Sequence, residues 1–429
     1  MNLDSLVAAQ KRGEARGITA ICSANARVLQ TAMRRAVKSG ETLLVESTCN
    51  QVNQFGGYTG MTPADFVAYV RRLAHKNGLA EQQLLLGGDH LGPNVWQDEP
   101  ETSAMKKSAQ LVKAYVEAGY TKLHLDVTPG LNLNKSDPNF EQTRNIAAQR
   151  TAFLARVAEE TCAALGSQAP CYVIGTEVPI PGGATGFEAE VTVTTPADVR
   201  ATIEITQAAF RLAGLEEAWE RVRAVVVQPG VEFGDDFVLD YRPEKTRSLA
   251  RLIETEPHII YEAHSTDYQS RDALRNLVRD HFAILKVGPG LTFALREAIF
   301  ALASMENELI PQDARSQLIP VIEEAMLSDP RHWQKHYQGT DLEQSFKRKF
   351  SLSDRIRYYW LDEKVQAALT KLMSNLGQSA LPLSLLSQYA PWFLERLTER
   401  EMENTPEALL VARVENVLVN YEYACRDAG

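Results

Sequence analysis

The chain has 429 residues, 45% hydrophobic and 23% charged, enough to bury a large core with the balance of an ordinary globular enzyme. A net charge of −10, with acidic and basic residues mixed, argues against nucleic acid or an anionic membrane, which need a basic footprint, but leaves room for a small anionic metabolite. Five scattered cysteines without a C-x-x-C pair, no basic-then-apolar leader and no apolar run of roughly 20 residues predict a reduced, cytoplasmic protein.

Short aliphatic and β-branched runs alternate with longer helical patterns. Eight read as strands: 17–23 (GITAICS), 42–48 (TLLVEST), 84–90 (LLLGGDH), 122–128 (KLHLDVT), 171–178 (CYVIGTEV), 224–230 (AVVVQPG), 259–265 (IIYEAHS) and 283–289 (AILKVGP). Nearly continuous apolar runs suit parallel strands buried on both faces. Amphipathic segments such as 62–78 and 103–118 supply crossover helices. The pattern predicts a closed (β/α)8 barrel. An open doubly wound sheet would carry a glycine-rich turn after its first strand, and CSANARVL is unlike G-x-G-x-x-G. Beyond residue 292 the segments 292–310, 312–327, 362–376 and 405–426 read as helices. The expected division is a barrel over 1–300 and a helical extension over 301–429 packed on it, with no low-complexity linker and no short-period repeat.

Each predicted strand begins apolar and ends in a chemically capable residue: Ser23, Glu46, Asp89 with His90, Asp126, Glu177, Gln228, Glu262 with His264, and Lys286. In a parallel barrel these ends share one face, where barrel active sites are built. Any one of them could merely cap a helix, but burying so many polar groups together is unfavourable unless a site uses them. Gly87-Gly88-Asp89-His90-Leu91-Gly92-Pro93 is the sharpest motif, offering an acid/base and a metal ligand beside glycines that admit a close approach. His90 and His264 with a carboxylate such as Glu177 make an open site for Zn²⁺, with Mn²⁺ as the alternative. His124, a layer deeper, reads as structural or supporting. Two glycine-bearing stretches, 54–60 and 286–290, could hold phosphate, the second at the usual barrel phosphate position. Arg355, in the Arg-rich segment 351–359, could reach in from the extension or simply start an ion-paired helix.

Long stretches carry a resemblance: NQVNQFGGYTGM at 50–61, GGDHLGPN at 87–94, VIGTEVPIPGG at 173–183, VVQPGVEF at 226–233, YEAHSTDYQ at 261–269, HFAILKVGP at 281–289, LTFALREAIFAL at 291–302 and SDRIRYYW at 353–360. Together they resemble the tagatose-bisphosphate aldolase Z subunits, the GatZ/KbaZ family, over essentially the whole chain. The resemblance implies one of three roles. The first is a metal-dependent 4-epimerase interconverting D-tagatose 6-phosphate and D-fructose 6-phosphate. The second is a non-catalytic subunit that stabilises and activates a class II aldolase chain. The third is an aldolase or free-ketose epimerase. Older kinase labels in the family find no Walker A motif here. Carbon 4 of a 2-ketose is not adjacent to the carbonyl, so retro-aldol cleavage of C3–C4 and re-addition is the expected route to its inversion.

Class II aldolases use an Asp-His pair, which Asp89-His90 resembles, but they bind zinc with three histidines. Two rim histidines are evident here, leaving Glu177 or Asp126 to complete the set. The expected assignment makes Asp89, Asp126, Glu177 and Lys286 catalytic, and His90, His264 and Glu177 metal ligands. Ser23, Asn25, Glu46, Asn50, Gln54, Gln228, Glu262, Ser265 and Arg355 are expected around the substrate. A homo-oligomer remains open. Family members usually carry Cys-Ser-Ala-His-Pro after strand 1, where this chain has Cys22-Ser23-Ala24-Asn25-Ala26. They usually carry a Ser-Met-Ser-Cys-like turn after strand 4, where it has Val127-Thr128-Pro129-Gly130-Leu131-Asn132. Both departures predict an altered choice of sugar with intact core chemistry.

Overall fold

The computed structural model describes residues 2–131, 137–175 and 191–426. Eight parallel strands close a barrel in chain order: β1 (Ile18–Cys22), β2 (Leu43–Thr48), β3 (Leu84–Leu91), β4 (Lys122–Leu125), β5 (Cys171–Ile174), β6 (Val222–Val226), β7 (Ile260–Ala263) and β8 (Phe282–Val287). Closure is made by β1 against β8, with Ile18 opposite Ile284. Every predicted run overlaps a strand; β2 and β3 reach their expected C-terminal ends, and the other strands leave the ladder one to four residues early. Asp126 accepts a hydrogen bond from the Thr128 amide at 3.2 Å, and Gln228 accepts one from the Gly230 amide at 2.8 Å. Such side-chain bonds to the local backbone compete with strand pairing, so β4 stops at Leu125 and β6 at Val226. Residues 176–178 of the fifth predicted run lie outside the described residues. A two-residue antiparallel ribbon, Glu232–Phe233 with Val238–Leu239, follows β6 and was not foreseen.

Alternation along the strands sorts the side chains. Leu123, Leu125, Tyr172, Val225, Tyr261 and Leu285 face outward into the apolar layer under the helices. At about 1.5–3 kcal/mol per buried large apolar side chain, that layer is the main source of stability. Inward, Ile18, Ala20, Leu44, Val173, Ala224, Ile260 and Ile284 make an apolar floor. Leu3, Leu6 and Val7 of the helix Leu3–Lys11 pack beneath it and plug the N-terminal end of the barrel. With that end sealed, access is from the strand C-termini.

The helix Pro289–Leu309 follows β8, and the extension adds helices at Leu318–Ser328, Asp341–Phe350, Glu363–Leu376, Leu383–Tyr389, Pro391–Thr398 and Pro406–Cys425. The last lies back along the barrel. Glu422 pairs with Arg35 through two contacts of 2.7 and 2.6 Å, and the Tyr421 hydroxyl donates to the Thr266 carbonyl at 2.8 Å. No helix of the described residues is long and apolar enough to cross a membrane.

Candidate active site and metal centre

Above the apolar floor the barrel interior is ionic. Lys122, at the start of β4, places its Nζ 2.5 Å from Glu46 Oε1 of β2 and 2.6 Å from Glu262 Oε2 of β7, all three fully buried. Burial alone would strip the lysine of its proton, but the two carboxylates outweigh it and its pKa is raised. Burial likewise pushes Glu262 up, and Lys122 and His264 reverse this, leaving it below the usual carboxylate range. Gly87 makes room for the arrangement, since a methyl there would lie 2.9 Å from the Glu46 carboxylate.

The next layer up holds Asp89, His90, His124, His264 and Lys286. The three imidazoles converge, with ring centroids 5.3 Å apart for His90–His124, 5.0 Å for His90–His264 and 5.2 Å for His124–His264. His124 Nδ1 lies 2.8 Å from Asp89 Oδ1, and His264 Nε2 lies 2.9 Å from Glu262 Oε1. His90 Nδ1 is held 2.8 Å from Asp126 Oδ2, with its Nε2 3.4 Å from Asp89 Oδ2. Lys286 Nζ is in contact with Asp89 Oδ2. His90 sits at φ 49°, a left-handed backbone that a non-glycine residue adopts only when its surroundings impose it. Gly92 allows this turn, because a Cβ there would lie 1.7 Å from the Asp126 carbonyl oxygen.

These residues fit a divalent cation. One ligand atom from each of Asp89, His124, Glu262 and His264 can be chosen so that all lie within 4.8 Å of one another. Burial lowers both His124 and His264 to about 4, so each imidazole is neutral at pH 7 with a lone pair to offer. When His124 Nδ1–H donates to Asp89, its Nε2 lone pair is buried with no partner among the described residues. That is the carboxylate-oriented histidine found behind many metals. Charge agrees too. Among the described residues inside the barrel, the four carboxylates Glu46, Asp89, Asp126 and Glu262 face two lysines, Lys122 and Lys286.

A cavity of about 320 Å³ opens above this cluster, with Asp89, His90, His264 and Lys286 among its lining. Of the residues expected around the substrate, Ser23, Asn25, Asn50 and Ser265 line it. Asn25 also caps the helix Ala26–Ser39, its Oδ1 accepting from the Arg27 and Val28 amides, so only its NH₂ is left for a ligand. Glu46 and Glu262 lie beneath the cavity in the lysine-bridged layer. Asp126 braces His90 through Nδ1, and its pKa is depressed because His90 and Thr128 overcome the effect of burial.

Three expected residues point elsewhere. Gln54 donates to the Lys107 carbonyl at 3.0 Å, Gln228 turns back on the Gly230 amide, and Arg355 donates to the His332 carbonyl at 2.9 Å. Arg357 lines the cavity instead. Residues 355–358 form a 3₁₀ turn with about three residues per turn, so positions two apart face different ways. The phosphate position expected at 286–290 is also taken. Asp267 Oδ1 accepts from the Gly288 amide at 3.0 Å and the Gly290 amide at 2.7 Å. Glu177 lies outside the described residues, as do Asn132 and most of the 173–183 stretch. Lys122, Asp267 and Arg357 were not singled out beforehand, and His124 was read only as structural or supporting. Strand parity could have found Lys122 as well, because Lys122 and His124 alternate inward with Asp126.

A family model described as D-tagatose-1,6-bisphosphate aldolase subunit GatZ/KbaZ-like matches residues 3–426. The chain belongs to the GatZ/KbaZ family. It is 48% identical over 423 residues to the D-tagatose-1,6-bisphosphate aldolase subunit GatZ of Klebsiella pneumoniae subsp. pneumoniae, covering 99% of each chain. It is 48% identical over 426 residues to the subunit of the same name from Salmonella heidelberg, again covering 99% of each. Among solved structures it resembles a probable tagatose 6 phosphate kinase from Sinorhizobium meliloti 1021, at 43% identity and a TM-score of 0.86, over 96% of this chain and 100% of that one. This GatZ/KbaZ member therefore joins a carbohydrate-processing family to a barrel with a buried Asp/His/His/Glu cluster able to hold a divalent metal.

Proposed function

We propose that the chain is a metal-dependent ketohexose-phosphate 4-epimerase acting between D-tagatose 6-phosphate and D-fructose 6-phosphate by C3–C4 retro-aldol cleavage and re-addition. The observation that carries this reading is the convergence of His90, His124 and His264 on Asp89 at the base of a cavity large enough for a sugar. A divalent cation, Zn²⁺ first and Mn²⁺ second, held by His124 and His264 with Asp89 or Glu262, would supply Lewis-acid polarisation of the ketose carbonyl.

The chain's own groups supply the proton chemistry. Cleaving C3–C4 requires a base for the C4 hydroxyl, and re-addition from the other face requires the same proton to be returned. Asp89 is suited to both, since its Oδ2 meets Lys286 Nζ on one side and His90 Nε2 on the other. Burial lowers the pKa of Lys286, making it a readier proton donor than an exposed lysine. Asp126 fixes the His90 tautomer through Nδ1, which turns Nε2 toward Asp89. Ser23, Asn50 and Ser265 offer hydroxyl and amide groups to the sugar. Glu177 keeps its proposed role as a further acid/base or ligand.

The test is an NMR time course of the purified chain alone with D-tagatose 6-phosphate, with and without Zn²⁺ or Mn²⁺. Fructose 6-phosphate should appear only with metal and vanish in Asp89→Asn. No conversion under any metal would sink the reading. One observation favours the second role, that of subunit to a class II aldolase. Leu342, Phe346 and Phe350, spaced by four on one face of the helix Asp341–Phe350, are exposed at 81%, 52% and 44%. Activation of a class II aldolase by a chain inert alone would decide for it. The kinase name of the Sinorhizobium relative is not carried over, because the sequence holds no Walker A motif.

A further inference from the structure

Barrel enzymes acting on phosphorylated sugars commonly seat the phosphate on backbone amides after strands 7 and 8. In this chain a buried carboxylate fills that place, since Asp267 Oδ1 occupies the Gly288 and Gly290 amides. A phosphate brought there would find its donors taken and a like charge beside it. Any anionic end of the substrate must be received elsewhere in the cavity.

Only two lysine or arginine side chains among the described residues line the cavity. Lys286 is committed to Asp89. The other, Arg357, has no carboxylate at ion-pairing distance among the described residues. Its Nη1 donates to the Ser353 carbonyl and, at 3.1 Å, to the Asp354 carbonyl, while Nη2 donates to the Tyr358 hydroxyl at 2.9 Å. A guanidinium has five N–H donors, so Nε–H and one Nη2–H are left without a partner among the described residues. The arm that carries it is pinned in place. The Tyr358 ring stacks on His332 at 4.6 Å and meets Tyr58 edge-on at 4.6 Å. The guanidinium is thus half-buried, oriented and short of acceptors, as an oxyanion receptor should be.

We propose that Arg357, delivered by the C-terminal extension, is the oxyanion receptor of this cavity and seats the terminal phosphate of the substrate in place of the amide nest that Asp267 occupies. The extension then completes the substrate site rather than merely packing on the barrel. The identity of the anion as a ketose phosphate rests on the function proposed above; the receptor role of Arg357 rests on geometry alone.

The test measures binding by the full-length protein, by calorimetry, of D-tagatose 6-phosphate, free D-tagatose, a ketohexuronate and inorganic phosphate. The wild type should prefer the 6-phosphate to the free sugar by about 10- to 100-fold, the worth of a charge-assisted hydrogen-bonded pair, and Arg357→Gln should erase that preference while keeping affinity for free tagatose. A second measurement needs no variant: inorganic phosphate should slow amide hydrogen exchange in the segment 351–360 of the wild type. Arg357-dependent phosphate binding without affinity for any ketose would uphold the receptor and refute the ketose reading. Three results would overturn the proposal: an unchanged preference in Arg357→Gln, no phosphate protection of 351–360, or an Arg357-dependent preference for the uronate over the 6-phosphate.

Discussion

Lys122 gives the sharpest test of how the site is held together. Its Nζ bridges Glu46 and Glu262 at 2.5 and 2.6 Å, with all three side chains out of contact with solvent. Lys122→Met keeps the length and most of the volume but strands two carboxylates in the barrel interior. Breaking a buried pair by removing one partner costs about 3–5 kcal/mol, a large share of the roughly 5–15 kcal/mol that holds a domain folded. The deficit should depend on pH in a definite direction. Without the lysine, the largest counterweight to burial at Glu262 is gone, and burial raises the folded-state pKa of that carboxyl above the unfolded value. The folded state then binds more protons than the unfolded chain, and the loss shrinks as pH falls toward 5. Chemical denaturation followed by tryptophan fluorescence at pH 8 and pH 5 measures both effects. Removing the stranded charges as well, in Lys122→Met with Glu46→Gln and Glu262→Gln, should recover part of the lost stability. A single-variant loss under about 1 kcal/mol, or a triple variant less stable than the single, would refute the ionic-strut account.

Further outcomes follow from neighbouring groups. His124→Ala should weaken Zn²⁺ binding, measured by competition with a chromophoric chelator, by more than the 10- to 100-fold that loss of a merely supporting partner costs; a smaller drop would return His124 to a supporting role. In the metal-free protein, His124 and His264 sit near 4 against an ordinary 6.5, so between those values the unfolded chain binds the extra protons. Thermal melts in chelator should therefore show stability falling as pH drops from about 6.5 to 4, and a flat profile would contradict the buried neutral imidazoles. Asp267 lies the other way, raised by burial to about 6 from an ordinary 3.8. Its ionisation opposes folding as pH rises through that window. Asp267→Asn, which still offers an oxygen to the two glycine amides, should be more stable than the wild type at pH 8 by about 1–3 kcal/mol, with the gap closing toward pH 4. A variant less stable at pH 8 would show that the carboxylate charge is needed there.

The barrel was legible because its determinants are local. A parallel strand buried on both faces must be almost wholly apolar, and a crossover must be a helix long enough to return the chain, so the alternation of the two periods shows in the letters. The polar residue closing each strand was equally visible, and with it the side of the barrel that could do chemistry. Which of those residues face one another is not a local property. It depends on the register between strands distant in sequence and on the strand twist. His90 and His264 were read as a metal pair, yet the compact ligand cluster draws in His124 and Glu262, because β4 and β7 bring those side chains to the same depth against Asp89. Lys122 looked unremarkable at the head of a strand, and only closure of the barrel places it between carboxylates 76 residues before it and 140 after. Gln54, Gln228 and Arg355 were plausible by composition, but each is drawn away from the cavity by a hydrogen bond to a backbone carbonyl or amide. The sequence alone determined the family, the strand count and the face of the barrel that carries the site. The tertiary structure decided which imidazoles meet, which carboxylate fills the amide nest and which arginine reaches the cavity, because each of those outcomes is a distance between residues far apart in the chain.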